Sequence, residues 1–247
     1  MTTRTHAQTL LARRRRRIRS VGAVGVVALA LVSSAVAFSG HGASAPAGAG
    51  GGGRLIGASY SSRLFAGIPQ HGLVLGSPRA AVRMVEFADL QCPYCDEYAV
   101  RALPTLVTDY VRTGKVQMEF ENLSFIGPGS VSAGRVQNRL WNFVDLLYLN
   151  QGRENSGYVT PAYLHRLLDA VPGLKVDQAL AASETPAADA ALSAANVAAQ
   201  RDGVGGTPTF LIGPAGGALR QFTPSSLTAA PFAAEIDHVY ASAVASR

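Results

Sequence analysis

Two cysteines separated by two residues carry the clearest chemistry in this chain. Cys92 and Cys95 are the only cysteines among its 247 residues, and they enclose Pro93 and Tyr94. Such a pair can close and open a disulfide bond between its own sulfur atoms, which is the chemistry of thiol–disulfide exchange. Two other uses remain open. A structural disulfide over so short a loop would stabilise the fold little, and a zinc or copper site would need further ligands.

The flanking pattern predicts a strand that ends before the cysteines and a helix that begins at them. Residues 82–88 form a short apolar run, and the residues after the pair show helical spacing. The apolar positions of that helix are Leu103, Leu106, Val107, Tyr110 and Val111. Cys92 would then be the helix N-cap, with Pro93 at the first helical position. Free N–H groups and the helix dipole would face the Cys92 sulfur, so we expect its pKa to lie below the roughly 8.5 of a free thiol.

Two blocks of sequence resemble a known family. Residues 85–95, Val-Glu-Phe-Ala-Asp-Leu-Gln-Cys-Pro-Tyr-Cys, resemble the active-site segment of DsbA-like thiol–disulfide oxidoreductases of the thioredoxin-fold superfamily. Residues 203–210, Gly-Val-Gly-Gly-Thr-Pro-Thr-Phe, resemble the Gly-Thr-Pro-Thr loop of that family, and residues 67–72 resemble the start of its domains. The resemblance covers roughly residues 66–245. It implies an α/β, thioredoxin-like fold with an inserted helical domain.

The resemblance also implies a role for Glu86, six residues before Cys92. In thioredoxin-like proteins this strand position holds a buried carboxylate behind the second cysteine, which here is Cys95. Glu86 would accept the proton of Cys95 when that thiol attacks, and desolvation would raise the pKa of Glu86 toward neutrality. Strand alternation alone leaves a second possibility, a carboxylate at a strand edge that faces solvent.

The resemblance implies that the second motif belongs to the same site. Pro208 would be a cis-proline held against the reactive disulfide, and the Thr207 backbone would bind an extended substrate peptide. A simple turn before a strand is the alternative. Pro93 and Tyr94, between the catalytic cysteines, would tune the redox potential. Neither motif suggests an organic cofactor. His71, His165 and His238 show no ligand spacing to the cysteines, so no metal site is predicted.

The positive charge of the chain is confined to its N-terminus. The formal net charge is +6, from 22 Lys and Arg against 16 Asp and Glu. Seven of the arginines lie in the first 19 residues. Beyond residue 40 there remain 15 basic and 16 acidic residues. The globular part is therefore not basic, and nucleic acid is not predicted as a partner.

An export segment follows the arginines. Residues 1–20 read as a basic cytoplasmic tail, and residues 21–38 are uncharged and mostly apolar. The run is long enough for a transmembrane signal anchor, and cleavage of a signal peptide near Ala37 is the alternative. The first outcome predicts a single-pass protein of the cell membrane with an extracytoplasmic catalytic domain, and the second a secreted one.

The rest of the chain divides into a linker and one domain. Residues 39–65 are predicted to be a flexible linker, within which residues 54–65 are also compatible with a short helix. Residues 66–247 form the predicted DsbA-like domain, with a helical insertion at about 127–200 that looks helical throughout from residue 135. The other predicted elements are strands at 73–75, 82–87 and 116–122, a helix kinked by Pro104, a hairpin of residues 209–212 and 218–222, and a closing helix.

Together these features predict an exported, monomeric thiol oxidase that introduces disulfide bonds into secreted or cell-envelope proteins. Its partners would be reduced or unfolded exported proteins and, as the resemblance implies, a quinone-linked membrane partner that reoxidises the cysteines. Two alternatives remain open. One is a disulfide reductase or isomerase that uses the same residues, and the other is a non-catalytic module that holds a soft metal.

Overall fold

The computed structural model describes residues 54–123 and 137–245. The predicted basic tail, the signal anchor at 21–38, linker residues 39–53 and the start of the helical insertion lie outside the described residues. Within residues 54–123 and 137–245, none of the helices has the length and hydropathy needed to span a bilayer.

The described strands form one mixed sheet. They are β1 (Gln70–His71), β2 (Val74–Leu75), β3 (Val82–Ala88), β4 (Val116–Asn122), β5 (Thr209–Pro214) and β6 (Arg220–Phe222). In the part of the chain that is described, they make a six-stranded sheet of order β1-β2-β4-β3-β5-β6. β3 pairs with β4 in parallel and with β5 in antiparallel orientation. The strand that leads to the cysteines therefore lies inside the sheet, with a neighbour on each side.

Helices flank the sheet. They are α1 (Ala58–Phe65), α2 (Pro93–Arg101), α3 (Leu103–Leu106) with a π-helical turn (Val107–Val111), α4 (Leu140–Leu149), α5 (Pro161–Asp169), α6 (Val176–Ser183), α7 (Pro186–Arg201) and α8 (Ala229–Ala245). Proline opens α2, α5 and α7, where its missing N–H costs no helical hydrogen bond. The predicted kink is confirmed as a break, because α2 ends at Arg101 and α3 starts one residue before Pro104.

Both faces of β3 are buried. Met84 and Ala88 point into the main core, and Val85 and Phe87 pack with Ala199 of α7 on the opposite face. In β4, by contrast, buried residues alternate with half-buried ones. A strand with helices on both faces buries a polar side chain as completely as an apolar one. Glu86 is accordingly only 2% exposed, so the alternative of a solvent-facing carboxylate is wrong.

The predicted linker ends earlier than residue 65. Helix α1 lies within the predicted linker, and its Phe65 is a buried part of the core. The segment before α1 is also held, because the Asn150 side chain accepts from the backbone N–H of Ile56 at 2.8 Å and donates to the Ile56 carbonyl at 2.9 Å. The short helix compatible with residues 54–65 is thus confirmed. The amphipathic spacing of α1 allows it to bury one face, which a flexible linker could not do.

The helical insertion is not continuous. An irregular segment separates α4, which ends at Leu149, from α5, which begins at Pro161. Two residues in it, Asn155 and Gly157, have positive φ values of 55° and 78°, which end helical propagation. The prediction of helix throughout this region is therefore wrong for residues 150–160, and it is also wrong for residues 170–175 between α5 and α6.

Candidate active site

A tight turn connects β3 to the cysteine pair. The Asp89 carboxylate accepts a hydrogen bond from the Gln91 backbone N–H at 2.7 Å, and the Asp89 carbonyl accepts from the Cys92 N–H at 3.0 Å. Cys92 then caps α2 in an extended conformation, and its carbonyl accepts from the Asp96 N–H at 3.2 Å. This places Cys92 at the helix N-cap and Pro93 at the first helical position, as predicted.

The two cysteine residues differ in their exposure to solvent. Cys95, one turn inside α2, is fully buried, and Cys92 is 7% exposed. Tyr94 between them is 62% exposed. Both cysteines are free thiols, and the Cys95 thiol hydrogen-bonds to the Cys92 sulfur. Cys92 is therefore the cysteine nearer to an incoming molecule, and Cys95 lies behind it.

The environment lowers the pKa of Cys92 to about 5. The largest cause is the hydrogen bond from the Cys95 thiol, which burial of Cys92 opposes. The Thr207 side chain and the backbone N–H groups of Cys95 and Tyr94, at the start of α2, lower the pKa further. The low pKa expected from the helix N-terminus is thus confirmed in direction. The neighbouring thiol nevertheless contributes more than the helix does.

The pKa values of the two cysteines are moved in opposite directions. Burial raises the pKa of Cys95 far above that of a free thiol, and the hydrogen bond to Cys92 and the nearby Glu86 carboxyl raise it further. At neutral pH the reduced pair therefore holds its negative charge on Cys92 and its proton on Cys95. A stable thiolate beside a protonated thiol is an arrangement suited to thiol–disulfide exchange.

Glu86 lies behind the pair and is buried in the interior of the fold. Burial, with the Cys92 charge as a smaller cause, raises the pKa of Glu86 to about 8. Its Oε1 atom is buried and accepts no hydrogen bond within the described residues. A carboxyl group with this pKa can take up or release a proton near neutral pH, which is the property that general acid–base chemistry needs.

The second motif lies against the first. The Cys92 thiol donates a hydrogen bond of 3.5 Å to the Thr207 carbonyl, across 115 positions of sequence. The Thr207–Pro208 peptide bond is cis, the form that the family resemblance implied. The two groups of Thr207 act oppositely on Cys92, since the carbonyl favours the protonated thiol and the side chain favours the thiolate. Because the pKa of Cys92 is lowered overall, the groups that stabilise its thiolate outweigh the effect of the Thr207 carbonyl.

Residues at the end of α4 and just beyond it also reach the site, and sequence reasoning missed them. The Tyr148 hydroxyl donates to the Asp89 carbonyl at 3.2 Å. The Gln151 side chain donates to the carbonyl groups of Leu90 and Cys92, each at 3.1 Å. Tyr148 is one of the buried residues of α4, but nothing in the local sequence marks Gln151. Both contacts depend on how the helical insertion packs on the sheet.

Among residues 54–123 and 137–245, no group of three or more His, Cys, Asp and Glu side chains is arranged to hold a metal ion. The side chains that surround the Cys92 sulfur instead stabilise a thiolate and supply a proton.

Comparison with known proteins places the chain in a family. A family model described as Thioredoxin matches residues 69–217, more than half of the chain. This chain belongs to the thioredoxin family. The matched region contains both cysteines and the Thr207–Pro208 bond. The resemblance to DsbA-like members of the thioredoxin-fold superfamily is thereby confirmed at the level of family and fold.

Two curated relatives align with part of the chain. It is 34% identical to the "Probable disulfide bond formation protein D" of Bacillus anthracis over 113 residues, which cover 42% of this chain and 52% of that protein. It is 30% identical to the "Disulfide bond formation protein D" of Bacillus subtilis over 110 residues, 41% of this chain and 50% of that protein. The chain thus spans about half the length of the curated relatives it matches.

Solved structures support the same fold. Wolbachia pipientis alpha-DsbA1 superimposes with a TM-score of 0.60 at 19% identity, covering 70% of this chain and 93% of that one. Oxidised BdbD from Bacillus subtilis superimposes with a TM-score of 0.57 at 20% identity, covering 70% of this chain and 97% of that one. Similarity at this level of identity shows a shared fold alone.

Proposed function

We propose that this protein is an extracytoplasmic thiol–disulfide oxidoreductase that introduces disulfide bonds into exported proteins through Cys92 and Cys95. The observation that carries the proposal is the contrast between the two thiols. The pKa of Cys92 is lowered to about 5, whereas burial raises that of Cys95 far above the usual range. A stabilised Cys92 thiolate favours the reduced enzyme, so the disulfide form is a strong oxidant.

The first half of the reaction consumes the enzyme disulfide. A substrate thiolate attacks the Cys92 sulfur, the bond between Cys92 and Cys95 breaks, and a mixed disulfide of substrate and Cys92 forms. Cys95 leaves with the bonding electron pair and takes a proton from Glu86, whose pKa of about 8 keeps it largely protonated at pH 7. When the disulfide forms again, Glu86 accepts that proton as Cys95 attacks.

The second half of the reaction releases the product. A second substrate thiolate attacks the substrate sulfur of the mixed disulfide, and Cys92 leaves as the thiolate that its surroundings stabilise. The substrate gains one disulfide bond, and the enzyme pair gains two electrons. The Thr207–Pro208 backbone is the proposed binding edge for the substrate peptide, because Thr207 lies against the Cys92 sulfur. Pro93 and the exposed Tyr94 are the proposed tuning residues.

The cellular setting is part of the proposal. Residues 21–38, behind the N-terminal arginines, would anchor the protein in the cell membrane with its catalytic domain outside, or be cleaved near Ala37. The proposed substrates are reduced or unfolded exported proteins, and a quinone-linked membrane partner would reoxidise the cysteines. The names of the Bacillus relatives, which refer to disulfide bond formation, support this assignment.

Equilibration with glutathione tests the proposal. The purified protein is incubated at pH 7 over a series of ratios of reduced to oxidised glutathione, and the reduced fraction is read by alkylation of free thiols. We expect a potential closer to the roughly −120 mV of a strong oxidase than to the roughly −270 mV of a reductase. An enzyme with such a potential should also oxidise a reduced dithiol peptide to its disulfide. A potential near that of a reductase, or no turnover of the peptide, would overturn the oxidase assignment.

A further inference from the structure

Every residue of the loop between β3 and α2 accepts a hydrogen bond from another segment of the chain. Residues 89–92 connect the sheet to the active-site helix, and each of them receives a hydrogen bond from the segment 148–155 of the helical insertion. The donors are the Tyr148 hydroxyl to the Asp89 carbonyl (3.2 Å), the Gln151 amide to the Leu90 and Cys92 carbonyl groups (3.1 Å each), and the Asn155 N–H to the Gln91 side-chain oxygen (3.2 Å).

Gln151 contacts the peptide at which α2 begins. Its side-chain nitrogen carries two hydrogens, and it donates to the carbonyl groups of both Leu90 and Cys92. The Cys92 carbonyl also accepts the first backbone hydrogen bond of the helix, from the Asp96 N–H at 3.2 Å. With two donors on one carbonyl, the peptide that follows Cys92 has little freedom to rotate. Its orientation decides whether the Cys92 sulfur faces the free N–H groups of Tyr94 and Cys95.

Tyr148 fixes the other end of the loop. Its ring is 3% exposed, and burial raises the pKa of its hydroxyl well above the usual value, so the group remains a hydrogen-bond donor. The donating segment is itself anchored, because the Tyr163 hydroxyl donates to the Asn150 carbonyl at 2.8 Å and the Gln151 N–H donates to the Tyr148 carbonyl at 3.0 Å. The helical insertion can therefore hold the loop in one conformation.

We propose that Tyr148 and Gln151 are positioning residues that hold the Cys92 peptide in the orientation in which its sulfur receives the N–H groups of α2, and so set the stability of the Cys92 thiolate. The inference rests on the proposed function only in that this thiolate is the reactive group. The Gln151 amide acts in the same direction by charge, since its N–H dipole points its positive end toward the Cys92 backbone. The helical insertion thus tunes the thiol without touching it.

The test is the pKa of Cys92 in two variants of the reduced, full-length protein. Gln151→Met keeps the length of the side chain and removes both donors, whereas Tyr148→Phe removes a single hydroxyl. Thiolate absorbance near 240 nm is followed against pH, a signal to which the neighbouring Glu86 does not contribute. We expect Gln151→Met to raise the pKa by about one unit, a tenfold loss in the ratio of thiolate to thiol. Tyr148→Phe should raise it in the same direction by less.

A second readout and a matched control separate positioning from plain stability. The glutathione equilibrium of Gln151→Met should move toward the disulfide by up to the same factor, about tenfold, since a less stable thiolate makes the enzyme a weaker oxidant. Gln137 serves as the control because its side chain donates to the Lys175 carbonyl at 2.9 Å and accepts from the Lys175 N–H at 2.7 Å, outside the loop at residues 89–92. Gln137→Met should lose stability while the pKa of Cys92 stays at the wild-type value.

Specific results would overturn the inference. One is a Gln151→Met protein that loses stability while the pKa of Cys92 remains that of the wild type. If Gln151→Met does not fold, Tyr148→Phe decides, and an unchanged pKa in that variant overturns the inference. Neither measurement needs a protein substrate. If the wild-type enzyme oxidises no dithiol, the proposed function alone is overturned. If the wild type is an active oxidase and the variants keep its Cys92 pKa, the inference alone is overturned.

Discussion

Replacement of Glu86 by Gln tests how strongly the fold opposes a buried charge behind the cysteines. Burial is the larger and the Cys92 charge the smaller cause that raises the pKa of Glu86 from its usual value of 4.5 to about 8. Each pKa unit corresponds to about 1.36 kcal/mol, so a rise of about 3.5 units is on the order of 5 kcal/mol. That is the free energy of unfolding that the protein should lose when this one carboxyl group ionises.

The sign of the effect follows from linkage. A group whose pKa is raised in the folded state contributes its full stability below the unfolded pKa, and that contribution is lost as the pH rises through the folded pKa. For Glu86 the loss should run from about pH 4.5 to about pH 8. The lowered pKa of Cys92 has the opposite sign in the reduced protein, where the two trends partly offset each other. The oxidised protein lacks the Cys92 thiolate and keeps the burial, so it isolates the Glu86 effect.

Urea unfolding of the oxidised wild type and of Glu86→Gln, at intervals between pH 4.5 and pH 9, measures this contribution. We expect the free energy of unfolding of the wild type, relative to the variant, to fall by roughly 3–4 kcal/mol over this range and then to level off. Reduction of a mixed disulfide by Cys95 should also slow by at least about 10²-fold in the variant, because no carboxyl group takes the thiol proton. A stability difference that is the same at every pH would refute the reasoning.

Three further predictions concern the thiols, the core and the N-terminus. In the reduced protein at pH 7, iodoacetamide should modify Cys92 well before the buried Cys95, as mass spectrometry of the peptides would show; equal rates would contradict the proposed difference in pKa. Phe232→Ala should lower the free energy of unfolding by about 3–5 kcal/mol in urea titrations, because the centroids of the Phe232 and Tyr98 rings lie 5.0 Å apart in the core. A loss below about 1 kcal/mol would argue against that packing. Fractionated cells that express the full chain should hold the domain outside the cytoplasm, in the membrane fraction if residues 21–38 remain attached and released if they are cleaved; recovery in the cytoplasm would disprove export.

The sequence alone predicted the thiol pair at the start of α2, because the features that place it there are local. A short apolar strand, two cysteines at helical spacing and a proline at the first helical position define a thiol at a helix N-terminus, whatever surrounds it. The direction of the Cys92 pKa follows from that placement. The family motif around residues 203–210 added a second part of the site that no periodicity could have supplied.

Burial of Glu86 was decided by the tertiary structure. Its flanking residues Val85 and Phe87 lie on the opposite face of β3, so alternation was compatible with an exposed carboxylate. Only the pairing of β3 with a strand on each side, and the packing of helices on both faces, removes Glu86 from water. The raised pKa of this carboxyl group is therefore a property of the whole fold.

The contacts of the helical insertion with the site were also beyond the sequence. The segment between α4 and α5 contains no motif, and its residues were predicted to be helical. The Gln151 amide of this segment and the Tyr148 hydroxyl of α4 reach residues 89–92 because α4 packs beside α2. Local pattern thus predicted which of the two sulfur atoms lies at the start of α2. The packing of elements distant in the chain decided which side chains hydrogen-bond to residues 89–92 and which carboxyl group is buried behind the cysteines, since both depend on contacts between residues that no local spacing relates.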